Sequence, residues 1–472
     1  MIRTLSLSLA VSVSLGALAA AAIDRTKKPD ADPAPAASFP DYKTVTLPNG
    51  LKVFVIEDDR TPRITFRLLI KGGALHDGGK SSLSSFVAGL LNRGTQKRDA
   101  ATFASESDYI GVRLEGMSGA DAISVSAGGL TKYTDKILDL LVDATLHPIF
   151  PEEQFAKEQR KALSALEAEK QEPGKLGDKL QGKLVFGAHP YGAYRTPETV
   201  KAVTREDLVK YHQTWFAPNN ATLAIVGDVK SADIVPLVEK AFAEWQKRDV
   251  PADPAPVTPK MEGLTVHLVD RPGSVQSNIQ ISFPGPARNN PDTAELNVVN
   301  ATLGGGFSGR LFQNLREKNG WTYGAYSAFG MNRYGGEFSA GAETRNAVTA
   351  PAIKETLKEI GRLRDEPVPE EELTLQREYN VGNYLLSLES SARIAQRVQD
   401  IDLYGLPTDF YKTYASRMGS VTPAHAQELA KKYLTTENAV IVVVGEAKEI
   451  KPELEKIGKV QVYDQQLKPV AP

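Results

Sequence analysis

Two residues that could bind an oxygen-bearing group lie seven positions apart in the second half of the chain, Arg316 and Tyr323. The guanidinium of Arg316 is a fixed fork of N–H donors that suits a carbonyl or a carboxylate. The phenol of Tyr323 is a donor that can stabilise an oxyanion as it forms. Because Gly320 favours a turn, we expect Arg316 in the last turn of a helix and Tyr323 at the start of a strand. The alternative is a purely structural role, as a charge at a helix C-terminus and a half-buried strand residue.

Side chains that could bind a metal are sparse. No two histidines lie three to five positions apart, and none falls in a compact cluster with acidic residues. The six histidines are His76, His147, His189, His212, His267 and His425. Since the chain also has no cysteine, we predict that it binds no metal.

A glycine-rich run in the second half matches the dinucleotide-binding spacing, with glycines at 304, 306 and 309. That fingerprint requires a strand before the first glycine, whereas Asp292–Leu303 reads as a helix. We therefore predict that no nucleotide binds there.

The composition is that of a soluble globular protein, with 41% apolar and 24% charged residues. A net charge of -2 gives no reason to expect nucleic acid or an anionic membrane surface as a partner. A length of 472 residues predicts two or three domains.

Residues 1–22 have the features of a secretory signal, namely the positive Arg3, an apolar stretch and small residues for cleavage. The alternative is a membrane anchor, which the serines at 6, 8, 12 and 14 disfavour. We therefore expect a periplasmic protein without membrane attachment once the signal is removed. Residues 23–41 are rich in proline and are predicted to form an extended spacer.

The rest of the chain reads as two copies of one domain. Prolines at 251, 254, 256 and 259 predict a linker over 247–261, between domains at 42–246 and 262–465. Adding 218 to five positions of the first copy gives similar residues in the second: Val203, Thr204, Trp215, Asn220 and Gly227 match Val421, Thr422, Tyr433, Asn438 and Gly445. Each copy opens with an alternating strand, at 51–56 and 264–269. We predict an α+β fold of two tandem homologous domains, each a mostly antiparallel sheet with helices packed on one face.

Helical periodicity and capping residues predict three helices in the first copy and four in the second. They are Ser81–Leu91, Tyr133–Leu146, Pro151–Gln171, Asp292–Leu303, Ser308–Lys318, Thr349–Arg364 and Pro369–Tyr404.

The motifs resemble those of the M16 family of zinc peptidases, which includes pitrilysin, insulinase and the mitochondrial processing peptidase. In the first copy the resemblance rests on Gly72-Gly73 and Gly94-Thr95, which flank the first helix. In the second copy it rests on Leu303–Phe312, Leu315–Gly320 and Tyr323. It covers about residues 42–462 and implies the LuxS/MPP-like metallohydrolase fold.

Active members of this family carry Gly-Leu-Ala-His-x-x-Glu-His in the first helix, where two histidines bind zinc and the glutamate activates water. Aligned on the flanking motifs, Ser85 and Gly89 occupy the histidine positions and Ala88 the glutamate position. The third ligand of the family, a glutamate on a later helix, aligns with Ala165, although a shift of one or two residues could bring Glu167 there. Serine, alanine and glycine cannot fill those roles, so the resemblance implies a member that lacks the zinc site.

In related enzymes an arginine, and a tyrosine seven residues after it, reach the substrate at the zinc of the partner half. The resemblance gives these roles to Arg316 and Tyr323, which we call the clamp. It also implies that Gly304, Gly305 and Gly306 line the substrate cleft beside Arg316.

The leading hypothesis is a non-zinc subunit of a heteromeric M16 metallopeptidase. A partner M16-like chain would bring His-x-x-Glu-His and the zinc, while this chain would complete the chamber for peptide substrates and supply the clamp. The alternative is a non-catalytic assembly or peptide-binding protein, similar to the family-related core subunits of respiratory complexes. A third hypothesis is a hydrolase with a new site. It has little support, because no Ser/His/Asp or paired-acid constellation can be placed at one location from the sequence.

Overall fold

The computed structural model describes residues 38–253, 261 and 263–470. Each half of the chain forms one six-stranded sheet, with strand orders β1-β2-β6-β3-β5-β4 and β12-β7-β11-β8-β10-β9. The pairs β2–β6, β7–β11 and β7–β12 are parallel and the others are antiparallel. The strands are β1 (Lys43–Thr46), β2 (Lys52–Glu57), β3 (Arg63–Lys71), β4 (Arg113–Ser118), β5 (Ala122–Leu130), β6 (Ala221–Gly227), β7 (Thr265–Asp270), β8 (Gln276–Gly285), β9 (Thr322–Asn332), β10 (Gly335–Arg345), β11 (Val440–Gly445) and β12 (Val460–Tyr463).

The helices of the first half are α1 (Leu83–Leu90), α2 (Ala100–Tyr109), α3 (Thr134–Leu146), α4 (Glu152–Glu169), α5 (Pro173–Phe186), α6 (Pro197–Lys201), α7 (Arg205–Trp215) and α8 (Ser231–Ala241). Those of the second half are α9 (Thr293–Leu303), α10 (Arg310–Phe312), α11 (Thr349–Asp365), α12 (Glu370–Ser387), α13 (Ser391–Tyr404), α14 (Phe410–Gly419), α15 (Pro423–Tyr433) and α16 (Ala447–Leu454). A π-helical turn over Gln313–Lys318 continues α10.

The bounds of the elements confirm the duplication. The offset of 218 residues relates both ends of α4 to α12, of α5 to α13 and of α7 to α15. The predicted threonine caps are present as well, because Thr204 accepts the backbone N–H of Asp207 and Thr422 accepts that of His425. The predicted fold class, two tandem α+β domains with mostly antiparallel sheets, is confirmed.

The two halves exchange one helix each, which the sequence did not predict. Helix α5 of the first half packs on β8 and β11, while α13 of the second half packs on β3 and β6. On α13, Gln399 donates hydrogen bonds to the carbonyl oxygens of Arg67 and Thr222, both 2.9 Å long. The central strands of each sheet are therefore covered on both faces, and for this reason β6 and β11 are buried along their whole lengths.

One predicted helix is wrong, because Pro369–Tyr404 is not continuous. It breaks between α12 and α13, where Ser390 accepts the backbone N–H of Arg393 and so starts a new helix. The break lets α13 turn away from its own half and onto the first sheet.

Described residues at the predicted ends of the spacer, the linker and the second domain pack against the rest of the protein. Phe39 of the predicted spacer is buried beside Tyr411, with ring centroids 5.5 Å apart. In the predicted linker Asp253 is hydrogen-bonded to His76 over 2.9 Å. Leu467 lies beyond the predicted end of the second domain but is buried. Phe39, Asp253 and Leu467 are thus attached to the body of the protein.

The predicted signal peptide at 1–22, the spacer up to residue 37 and residues 254–260 of the linker lie outside the described residues. In the part of the chain that the structure describes, no helix has both the length and the apolar character needed to span a bilayer.

Candidate functional site

Arg316 lies in the π-helical turn that follows α10, close to its predicted place at a helix end. Buried Asn314 fixes this turn, because its side-chain amide donates hydrogen bonds to Glu355 at 2.9 Å and to Glu359 at 2.6 Å. The Arg316 guanidinium lies over the Phe312 ring, 4.8 Å from the ring centroid. Among the described residues its one ion pair is to exposed Glu317, at 3.5 Å. The Arg316 side chain is therefore oriented but available to a ligand.

Tyr323 lies at the start of β9, as predicted, and a β-bulge sets its direction. Tyr323 and Gly324 together oppose the single residue Glu343, because the register shifts between the pairs Ala342–Ala325 and Thr344–Thr322. A bulge re-aims the side chain at its site. Tyr323 is 89% exposed, and its hydroxyl bonds to none of the described residues.

An aromatic surface surrounds Arg316. Phe307 is exposed at the end of the glycine segment, and its ring meets that of Phe312 edge-on with centroids 4.9 Å apart. Tyr326 is half exposed on β9, with its ring centroid 6.3 Å from that of Phe312. Sequence reasoning missed this surface, although the spacing of aromatic residues on either side of Arg316 was a usable signal.

The three glycines predicted to line the cleft differ in position. Gly304 is buried, and a Cβ there would lie 2.7 Å from the backbone nitrogen of Ser327. Its carbonyl accepts the Ser327 N–H at 2.8 Å, so Gly304 fastens the segment to β9 instead of lining a cleft. Gly305 is exposed and Gly306 is partly exposed, so these two can border a ligand.

Helix α1 carries the residues expected to align with the family's zinc motif. Ser85 and Gly89 are exposed on one face of the helix, the arrangement that the family's two histidines would need. Ala88 is buried against β4, where a Cβ on Gly116 would lie 2.1 Å from the Ala88 carbonyl oxygen. Buried Asp77 accepts the N–H groups of Ser82 and Ser84 and so caps the helix, and burial raises the pKa of its carboxyl.

On α4, the helix expected to carry the third ligand, Ala165 is exposed. Glu167 lies two residues further on and therefore points about 200° away around the helix. It pairs with Lys170 at 2.7 Å. Aligning Glu167 with the third zinc ligand therefore does not bring a metal ligand to the face of α1 that carries Ser85 and Gly89.

An open cleft of about 600 Å³ lies beside Gly89. Helices α1, α2 and α4 and the edge strand β4 form its walls, and Glu158 and Lys161 of α4 reach into it. Nothing stands within 4 Å of the position that a Gly89 Cβ would take, so the small residue leaves this part of the cleft open.

The structure thus gathers the predicted residues into two groups, one in each half. Gly89 and α4 line the cleft of the first half, and Ser85 lies on the same exposed face of α1 as Gly89, while the clamp and its aromatic surface belong to the second half. No hydrogen bond or ion pair between described residues joins the two groups. Within the described ranges, no three His, Cys, Asp or Glu side chains are close enough to hold a metal ion.

Comparisons with known proteins match both halves. The family model described as Insulinase (Peptidase family M16) matches residues 52–185, and the model described as Peptidase M16 inactive domain matches residues 202–380. Together they span more than half of the chain. A Bacillus subtilis protein named uncharacterized zinc protease YmxG is 25% identical over 354 residues, which are 74% of this chain and 85% of that protein.

Solved structures agree with these matches. The peptidase M16 inactive domain from Pseudomonas fluorescens is similar with a TM-score of 0.81 and 25% identity, covering 86% of this chain and 98% of that one. The periplasmic protease PqqL from Escherichia coli has the same fold, with a TM-score of 0.74 at 16% identity over 88% of this chain and 47% of that one. The chain therefore belongs to peptidase family M16.

Proposed function

We propose that this chain is the non-zinc subunit of a heteromeric M16 metallopeptidase. The observation that carries the proposal is the clamp itself: Arg316 is oriented over Phe312 on an aromatic surface, and Tyr323, on the strand that packs beside the turn of Arg316, is 89% exposed. The β-bulge directs Tyr323 outward, and the hydrogen bonds of buried Asn314 hold the turn that carries Arg316. Neither the Arg316 nor the Tyr323 side chain has a strong partner among the described residues. Such an arrangement suits a ligand that comes from outside the chain.

The zinc would belong to a partner M16-like chain that carries His-x-x-Glu-His, and there it would polarise the scissile carbonyl and activate water. In this chain, the Tyr323 hydroxyl would donate to the oxygen on which negative charge develops. Arg316 would bind a neighbouring carbonyl or carboxylate of the peptide and so fix its position. This chain would also close the chamber that excludes bulk water.

The proposal also names the compartment of this chain and the substrates of the peptidase. Residues 1–22 would direct export to the periplasm and be removed, which leaves a chain without membrane attachment. Peptides would be the substrates, and no nucleic acid would bind, since the net charge of -2 offers no basic surface in excess.

A second candidate is a peptide-binding or assembly protein without a role in catalysis, and the cleft beside Gly89 favours it. The cleft is walled by β4, and an edge strand offers backbone groups with which an extended peptide can pair. In that case peptides would bind to this chain in the absence of any metal-bearing partner.

The test is a peptidase assay with purified proteins: this chain alone, each exported chain of the same genome that carries His-x-x-Glu-His, and their mixtures. We expect hydrolysis of a fluorogenic peptide library in one mixture, abolished by a zinc chelator and restored by zinc. Hydrolysis by this chain alone would contradict the proposal. Peptide binding by this chain, with every mixture inactive, would favour the second candidate.

A further inference from the structure

Three arginines come together at the joint where α13 of the second half crosses the first sheet. Arg67 belongs to β3, Arg288 to the segment after β8 and Arg397 to α13 itself, and all three are partly buried. Nη1 of Arg67 donates to Gln399 at 2.6 Å. Nη2 of Arg288 donates to the Tyr411 hydroxyl at 2.9 Å. We call Arg67, Arg288 and Arg397 the arginine cluster.

One carboxylate, that of Asp400, lies among these three arginines. The Tyr411 hydroxyl that accepts from Arg288 donates to Asp400 at 3.3 Å. The guanidinium of Arg397 lies over the ring of the same tyrosine, 5.8 Å from its centroid. Burial raises the pKa of Asp400 to about 6, although the positive charges of Arg288, Arg67 and Arg397 all act to lower it. Three positive charges around one ionised carboxylate leave a net charge of +2.

The arginine cluster has few partners of its own. No ion pair between described residues involves any of its three members. Nη1 of Arg288 and Nη1 of Arg397 are buried and bond to no described residue. By contrast, the buried or partly buried Arg98, Arg310 and Arg417 each form an ion pair with a carboxylate. Because an uncompensated charge is costly to bury, the arginine cluster favours a further negative partner.

The matching joint in the other half has no such excess of charge. Helix α5 crosses the second sheet as α13 crosses the first, and the offset of 218 residues relates Lys179 to Arg397. Lys179 is paired with Glu169 at 2.6 Å. The strand register places the neutral Gln280 where the first sheet has Arg67. The crossing of a helix over a sheet in this fold therefore does not by itself require the arginine cluster.

We propose that the arginine cluster is a binding site for a small anionic ligand, one that carries a carboxylate or phosphate group. A guanidinium presents parallel N–H donors that match two oxygens of such a group. Since the three side chains are only partly buried, a small ligand reaches them from solvent. The bound anion would join β3 of the first half to α13 and the segment after β8 of the second. The site shares no residue with the clamp and does not depend on the proposed function.

Isothermal titration calorimetry of the purified chain tests the site, with inorganic phosphate and succinate as probes and sodium chloride holding the ionic strength constant. The pH is kept above the pKa of Asp400. We expect saturable binding of a single probe ion, and the tighter probe shows whether the site prefers a phosphate or a carboxylate group. Arg288→Met and Arg397→Met should each raise Kd by about tenfold or more, because each removes charge-assisted hydrogen bonds. The matched control is Arg393→Met, since Arg393 is exposed one turn earlier on α13, and it should leave Kd unchanged.

Asp400→Asn should act in the opposite direction. It removes the negative charge that repels the ligand and keeps an oxygen that accepts from Tyr411, so Kd should fall by about threefold or more. Circular dichroism verifies the fold of each variant. If a methionine variant unfolds, Arg397→Lys replaces it, and a smaller rise in Kd is expected because the charge remains while the fork of donors is lost.

Three results would each overturn this inference. The first is the absence of saturable binding for both probes. The second is a Kd that the arginine substitutions leave at the wild-type value, which would place the bound ion elsewhere. The third is a Kd that Asp400→Asn leaves unchanged or raises, because the carboxylate would then not compete with the ligand.

Discussion

Ser82, at the start of α1, holds a backbone conformation that suits glycine. Its φ is +115°, and its hydroxyl oxygen is buried without a hydrogen-bond partner among the described residues. The family motif that the first helix resembles has glycine at the aligned position, whereas serine there holds a strained backbone. A non-glycine residue in such a region costs on the order of 1–3 kcal/mol.

We predict that Ser82→Gly raises the free energy of unfolding by about 1 kcal/mol, since it relieves the strain and removes the buried hydroxyl while keeping the N–H donated to Asp77. Urea titration measures the change. Ser85→Gly is the control, because Ser85 lies inside α1 and exposed, where glycine should lower the free energy of unfolding by about 0.5 kcal/mol. If the Ser82→Gly protein were no more stable than wild type, the backbone at Ser82 would not be strained.

At the scale of elements, the cleft of the first half depends on how closely β4 approaches α1. Gly116 on β4 faces the backbone of Ala88, which cannot move without shifting the helix. Gly89, one residue further along α1, faces open space. A side chain larger than glycine is therefore excluded at Gly116 on β4, whereas it is tolerated at Gly89 on α1.

We predict that Gly116→Ala lowers the free energy of unfolding by about 2 kcal/mol, because the new methyl group overlaps rigid backbone. Gly89→Ala is the matched control and should raise it by roughly 0.5 kcal/mol, since alanine favours a helix and nothing obstructs its methyl group. Thermal unfolding of both variants checks the signs. Equal effects of the two substitutions would show that α1 and β4 are not in tight contact.

The elements also show what the sequence could predict. The duplication, the buried strand β11, the caps at Thr204 and Thr422 and the place of Arg316 follow from local patterns, and the structure agrees with them. The bulge at Tyr323 depends on the pairing of β9 with β10. The break at Ser390 has a local cap, but the direction that α13 then takes depends on its contacts with β3 and β6 of the first half. No local pattern records such contacts, so the outward direction of Tyr323 and the return of α13 could not be predicted.

At the scale of the whole molecule, the exchange of α5 and α13 ties the two halves together. Each half covers a sheet of the other, and Gln399 joins α13 to the first sheet through two backbone carbonyls. No hydrogen bond or ion pair between described residues joins the cleft of the first half to the clamp of the second. Under the proposed function, the site that the clamp completes is supplied by another chain.

The most direct test of this account is kcat of the mixed peptidase, measured with this chain saturating its metal-bearing partner. Tyr323→Phe removes the phenolic donor, and the matched control Tyr109→Phe removes another highly exposed phenol, with exposed fractions of 89% and 86%. We predict that Tyr323→Phe lowers kcat by about 100-fold, the cost of losing one oxyanion donor, while Tyr109→Phe leaves kcat at the wild-type value. A saturated complex in which Tyr323→Phe keeps the wild-type kcat would contradict the account.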